Sequence, residues 1–265
     1  AIQALDENHP YSKIGAGRIE KYAEEARTLL NSVGINAEGT AQKNRFVISA
    51  SGTLRPAWLA IDDIASVSSP DEKVGDNALI VNVEGFLDFN TSFIAEAFEN
   101  RGTKCRIIAV TTDEIRRLRR NPSEMRATNI ARILDNADVR ARFVSEVNAQ
   151  KGDADVIILP AVFGLKNSAV AEDVRKALGI KTLILGTLPP SVPGIRSQMQ
   201  LKEAFVAAGG TFLKGDEATG ARFEGGKVAA VSTVDFGDID LTAENYVLAT
   251  GSYFGHGLIS GVDSV

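Results

Sequence analysis

Two stretches, each running apolar segment, helix, glycine and second apolar segment, constrain this chain more than any other feature. Residues 78–83 read ALIVNV, apolar but for one Asn; helical spacing follows over 91–101, then Gly102 and a further apolar run at 105–110. The order recurs with 156–162, then 170–178 closed by Gly179, then 182–185. Strands covered on both faces read as unbroken apolar runs. Their alternation with helices specifies a parallel sheet with right-handed crossovers. The middle of the chain is therefore predicted to be a doubly wound α/β domain.

The flanks read differently. Ile19, Tyr22, Ala23, Ala26, Leu29, Leu30 and Val33 recur at helical spacing before Gly34, an amphipathic helix with a glycine stop. Residues 36–60 read as short strands and turns around GTLRPAWL, with Trp58 expected in the core. Asn121, Pro122 and Glu124 have the pattern of a cap and first helical turn. The stripe Ala127, Ile130, Ala131 and Leu134 faces inward there, with Asn129 and Arg132 opposite. A helix is predicted from Arg196 to Ala208, ended by Gly209 and Gly210. Strands follow in TFLKGDE, ARFEGG and KVAAVSTV, with Gly225 and Gly226 in a hairpin turn. The last predicted strand is YVLATG at 246–251.

A chain of 265 residues with 44% hydrophobic and 24% charged residues suggests one large or two ordinary domains of a globular protein. The net charge of -5, with no dominant basic stripe, argues against a nucleic-acid partner. Arg116, Arg117, Arg119 and Arg120, beside Asp113 and Glu114, read as a solvated helix face. A single cysteine, Cys105, excludes an internal disulfide, a thiolate zinc site and a protein-held iron–sulfur cluster, and fits a reducing cytoplasm. Two histidines support neither a multi-His metal centre nor a Ser-His-Asp site. The longest apolar stretch, 156–165, falls short of the roughly 20 residues that span a bilayer. No signal peptide is visible. Because the chain starts at Ala1 and stops at Val265 among turn residues, it is expected to be an excised fragment.

The chemistry is concentrated in YVLATG. An apolar strand ending in Ala-Thr-Gly suits an approach to a flavin, because only a backbone without bulk lies close against a planar ring. Ala-Thr-Gly also ends ordinary strands. The order helix, Gly-Gly, strand, hairpin, strand favours flavin, with Thr250 and Gly251 at the contact. The usual first half of such a site, G-x-G-x-x-G after a strand, is missing: Gly15 and Gly17 are followed by Glu20, and no strand precedes them.

Other candidates stand beside their plainer readings. His256, between Gly255 and Gly257, is either a ligand contact or a loop histidine. His9 reads as structural. The stiff loop 187–196 follows a predicted parallel strand, where α/β proteins place ligands. Its Arg196 either meets an anion or starts the next helix. Arg55, Arg126 and Arg132 are further anion-binding candidates, each with a surface ion pair as the alternative.

Seven motifs in this order resemble a known family: HPYSKIG (9–15), GTLRPAWL (52–59), GFLDFN (85–90), EMRATNIARILDN (124–136), LPAVFGL (159–165), TLPPSVPGIR (187–196) and VLATGSYFGHGL (247–258). Together they are similar to the B subunits of the anaerobic glycerol-3-phosphate dehydrogenases, over nearly the whole chain. The resemblance implies an FMN-binding flavoprotein subunit, with FAD as the alternative flavin. It implies two partners, an FAD-containing catalytic subunit and an iron–sulfur, membrane-associated subunit. Electrons from glycerol 3-phosphate oxidation would pass to quinone in anaerobic respiration, at the inner face of the cell membrane. The family's full pattern also has a glycine-rich fingerprint before this sequence and another glycine-rich segment after it. On that basis 40–200 is expected to be an inserted α/β domain, and 1–39 and 201–265 parts of a Rossmann-like flavin domain. The fragment alone is expected to be inactive and not to retain flavin. Two other readings stay open: a cofactor-free docking subunit that clamps the catalytic subunit, and a flavin reductase of the fumarate-reductase type.

Overall fold

The computed structural model describes residues 2–61, 63–251 and 257. In chain order the elements are α1 (Pro10–Ile14), α2 (Ala16–Ser32), β1 (Ala37–Gly39), β2 (Arg45–Ile48), β3 (Leu54–Ala57), β4 (Leu59–Ile61), β5 (Ser66–Val67), β6 (Asn77–Val83), α3 (Thr91–Glu99), β7 (Lys104–Val110), α4 (Asp113–Leu118), α5 (Ala127–Leu134), α6 (Ala137–Gln150), β8 (Val156–Pro160), α7 (Ala169–Leu178), β9 (Lys181–Leu185), α8 (Val192–Ala207), β10 (Ala218–Glu224) and β11 (Lys227–Thr233). Two compact units divide the chain, Ala1–Gly209 and Gly210–Val265.

The first unit is built on a parallel sheet in the order β7-β6-β8-β9. β6 runs beside β7 from Asn77 opposite Lys104 to Val83 opposite Val110, and beside β8 from Ala78 opposite Val156 to Ile80 opposite Ile158. The two central strands are the ones with the longest apolar runs; Leu79, Ile80, Val81, Ile157, Ile158 and Leu159 are fully buried. The edge strands β7 and β9 carry Lys104, Arg106 and Lys181, because an edge leaves part of each strand in solvent. The sheet's lower end is tied by polar groups. Asp155 accepts from the backbone N–H of Asp76 (2.7 Å) and Asn77 (3.1 Å), Thr103 Oγ1 donates to Gly75 O (2.8 Å), and Lys181 Nζ donates to Val74 O (2.8 Å).

Helices start where side chains cap them. Asn90 Oδ1 accepts from Phe93 N–H (3.2 Å) at α3, and Asn136 Oδ1 accepts from Asp138 and Val139 N–H at α6 (3.0 and 3.1 Å). Three boundaries differ from the sequence reading. Asn121 does not open a long helix: Pro122–Glu124 is a short 3-10 turn, and Arg126 is extended (φ -105, ψ 148) before α5 begins. The buried stripe of α5 is the expected one, Ala127, Ile130, Ala131 and Leu134. The helical sequence beyond it is a separate helix, α6, whose Phe143 and Val147 join the core. α8 starts four residues before Arg196, because Ser191 Oγ accepts from Gly194 N–H (3.1 Å) and Pro193 is tolerated in a first turn.

Against this sheet lie antiparallel strands, in the order β3-β2-β5 and as the pair β1-β4. Gly39 has φ +145, and a β-carbon there would stand 2.0 Å from Trp58 O, so no other residue fits the β1–β4 crossing. Trp58 is not core: at 38% exposure it lies where this turn meets solvent. In the second unit β10 and β11 form the expected hairpin through Gly225 (φ +56) and Gly226 (φ +78). Residues 211–217, expected as a strand, are irregular. So are 246–251: no strand among the described residues pairs with them, and Val247 and Leu248 are 88% and 74% exposed. A strand needs a neighbour for its N–H and C=O groups, and apolar residues do not supply one.

Cys105 on β7 is only partly exposed. Burial, and next the Glu99 carboxylate, push its thiol up to about 11. At pH 7.5 the reactive thiolate is then on the order of one molecule in a thousand. Iodoacetamide is expected to label native Cys105 at least about tenfold more slowly than the urea-unfolded chain. Equal rates would show an accessible thiolate.

Candidate functional site

The loops after the parallel strands, where ligands are expected, are bonded to one another. Leu188 N–H donates to Asp88 O (3.0 Å), joining the loop after β9 to the loop after β6. Asn82 Nδ2 donates to Phe86 O (2.9 Å) and its Oδ1 accepts from Val83 N–H (2.8 Å). Phe86, Phe89 and Phe163 are buried beneath these loops.

Arg196, an anion-binding candidate, is 3% exposed inside α8. Its guanidinium donates to Asp63 Oδ2 and to Gly164 O, so it ties three segments together rather than facing solvent. Arg126 lies 3.9 Å from Asp88, and both belong to this end of the sheet. Arg132 bonds to Asn129 Oδ1 (2.6 Å), and Asn129 in turn donates to Glu124 Oε2 (2.9 Å), a solvated network on the outer face of α5. Arg55 is exposed on β3, a different sheet, with no side-chain hydrogen bond or ion pair to a described residue. The structure therefore brings Arg126 to the loop cluster and leaves Arg55 and Arg132 outside it. His256 lies outside the described residues. His9 is structural: its Nδ1 accepts from Tyr11 N–H (3.1 Å) and caps α1. The basic run is a solvated face, with Arg116 on Asp113, Arg117 on Glu114 and Arg119 on Glu84.

In the second unit, Thr250 and Gly251 are both exposed. Gly251 has φ +91 with no atom within 4 Å of where a β-carbon would stand, so its backbone faces open space in a conformation L residues rarely adopt. Sequence reasoning missed what starts this segment. Tyr246 Oη donates to Ala229 O (2.9 Å) and accepts from Ala243 N–H (2.8 Å), while Val231 and Leu241 exchange backbone bonds of 2.9 and 2.8 Å. A tyrosine at the head of an apolar run was the available signal, since a partly covered Tyr seeks a partner for its hydroxyl. An apolar groove of about 380 Å³ lined by Tyr11, Ile14, Tyr22 and Trp58 was also not foreseen. No group of three or more His, Cys, Asp or Glu suited to a metal ion occurs among the described residues.

Comparison with known proteins gives the family. Three curated relatives are each named as the B subunit of an anaerobic glycerol-3-phosphate dehydrogenase. That of Pectobacterium carotovorum is 37% identical over 270 residues, covering 100% of this chain and 64% of the relative. That of Pectobacterium atrosepticum is 36% identical with the same coverage, and that of Yersinia enterocolitica is 35% identical, covering 100% and 63%. The chain thus spans slightly less than two thirds of the length of the relatives it matches. No solved structure matches it. The FAD-binding domain model matches residues 1–265. A match that runs from residue 1 to residue 265 leads to one conclusion: this chain belongs to the FAD-binding domain family.

Proposed function

We propose that this chain is part of the flavin-carrying B subunit of a quinone-linked anaerobic glycerol-3-phosphate dehydrogenase. The observation that carries the reading is similarity to proteins of that name along the whole chain, at 36–37% identity. In this reading 40–200 is a doubly wound inserted domain, a reading supported by the flanking of β6 by a later strand on each side. Residues 1–39 and 201–265 belong to the flavin domain. The cofactor is FMN, with FAD as the alternative.

The flavin, when bound, supplies the electron chemistry. This chain's part is position: Gly251 lets the backbone approach, Thr250 offers a hydroxyl, Tyr246 anchors the segment, and Val247 and Leu248 supply apolar surface that excludes water. Oxidation of glycerol 3-phosphate falls to an FAD-containing catalytic partner, and this subunit relays electrons toward an iron–sulfur partner and quinone. Peripheral attachment to the membrane would come through that partner. Among the described residues no helix is long and apolar enough to cross a membrane.

The test is the visible absorption of the full-length subunit within its complex, wild type and Gly251→Val, resupplied with FMN or FAD. The wild type is expected to show a flavin band. The variant is expected to hold flavin at least about tenfold more weakly, since a β-branched residue at this φ is strained and bulky. A colourless wild type would overturn the relay and leave the docking role.

A further inference from the structure

We propose that the loop end of the parallel sheet seats the first unit directly on an anionic lipid surface, with Leu87 as the inserted side chain. This inference is independent of the flavin reading.

Strands that run parallel all end on one side, so the loops after β6, β7, β8 and β9 share one end of this unit. Contacts tie them together. Leu188 N–H donates to Asp88 O (3.0 Å), Arg126 lies 3.9 Å from Asp88, and Arg119 pairs with Glu84. Arg119 also covers Gly85, where a β-carbon would stand 2.9 Å from its Nε. The loop after β6 is thus held on one side by residues that follow β7 and on another by one that follows β9. Leu87 belongs to this tied loop and is 86% exposed, although its neighbour Phe86 is buried. Leu188 is 54% exposed, and Phe93 in the first turn of α3 is 56% exposed.

The charge at this end is positive, in a chain whose net charge is -5. Arg119 and Arg126 are matched by Glu84 and Asp88, and Arg116 and Arg117 by Asp113 and Glu114. Arg120, next to Arg119, and Lys166, in the loop after β8, are exposed and have no ion pair with a described residue. A protein partner wants a packed apolar centre of matching shape, which one protruding leucine with half-exposed neighbours does not offer. A bilayer interface needs no shaped pocket: it takes single apolar side chains at the acyl boundary while flanking cations reach the phosphates.

Flotation of the full chain with vesicles of phosphatidylcholine and phosphatidylglycerol in equal parts, and with phosphatidylcholine alone, tests this at low salt. Binding to the anionic vesicles is expected to be at least about tenfold tighter and to fall as salt is added. Leu87→Asp should weaken it at least about tenfold, because a carboxylate replaces the inserted apolar side chain. Arg120→Gln should weaken it about fivefold, the loss of one cation near the surface. Both side chains are exposed, so neither change disturbs the core. Leu29→Asp, at a leucine 58% exposed on α2, should change nothing. No binding to either vesicle, or binding that survives both Leu87→Asp and Arg120→Gln, would overturn the proposal. So would a chain that ignores vesicles but whose Leu87→Asp variant, in the full-length subunit, falls away from its complex; that result would give the loop to a protein contact.

Discussion

Replacing Arg196 by methionine is expected to lower the stability of the first unit by about 3–5 kcal/mol, the cost of removing one member of a buried ion pair. Arg196 is 3% exposed and Asp63 10%, by side chain. The guanidinium donates both to Asp63 and to Gly164 O, and Arg196 itself lies in α8. One side chain thus joins the turn after β8, the segment leading into β5 and the first turns of α8. Methionine keeps much of the length but none of the donors. Urea unfolding measures the effect as a shift in midpoint at unchanged slope. The double variant Arg196→Met with Asp63→Asn is expected to lose less than the sum of the single losses, since neither then strands an ion. A single-variant loss below about 1 kcal/mol would mean that water or other side chains already solvate Asp63.

The parallel sheet is legible in the sequence because burial on both faces makes β6 and β8 mostly apolar, and the glycines at 102 and 179 mark where α3 and α7 give way to the next strand. The start of α8 is less legible. Arg196 looks like a loop residue when its carboxylate partner is 133 positions away, a separation that no local pattern encodes. The split between α5 and α6 hinges on Asn136, a cap that resembles any other polar residue until its side chain is seen accepting two N–H groups. Trp58 misleads for a related reason: aromatic bulk argues for the core, but the close β1–β4 crossing at Gly39 holds the neighbouring turn at the surface.

The candidate site is legible as chemistry and not as geometry. Ala-Thr-Gly announces a backbone without bulk, and Gly251 has φ +91 with open space where a side chain would stand. The strand expected there does not form, because β-structure is a property of pairs and the apolar run carries only one half of the pair. The arginines show the converse. Sequence supplies donors by type, yet Arg126, Arg132 and Arg196 differ only in what surrounds them: an aspartate at 3.9 Å, an exposed asparagine and a buried aspartate.

Replacing Phe98 by alanine is expected to cost about 3–5 kcal/mol, the range for deleting a fully buried phenylalanine when the surrounding core relaxes only partly. Phe98 is completely buried under α3, and the Arg101 guanidinium lies 4.7 Å from its ring centroid. Arg101 in turn donates to Ala97 O (3.0 Å) and, across to the β2–β3 turn, to Gly52 O (2.8 Å). Gly52 can make that approach because it lacks a side chain: a β-carbon would stand 2.8 Å from Ala97 Cβ. The ring therefore supports two layers at once, the core beneath α3 and the bridge from α3 to the antiparallel strands. Phe98→Leu is expected to retain most of the core term, because its volume loss is smaller, but to lose the cation–π contact, about 0.5–1 kcal/mol at a partly exposed site. Arg101→Ala is expected to cost about 1–2 kcal/mol and to combine with Phe98→Ala less than additively, since the cation no longer has a ring to sit on. Urea unfolding of the four variants, counting the double, separates the two roles. Strict additivity would show that Arg101 holds the β2–β3 turn without help from the ring and that Phe98 acts on the core alone.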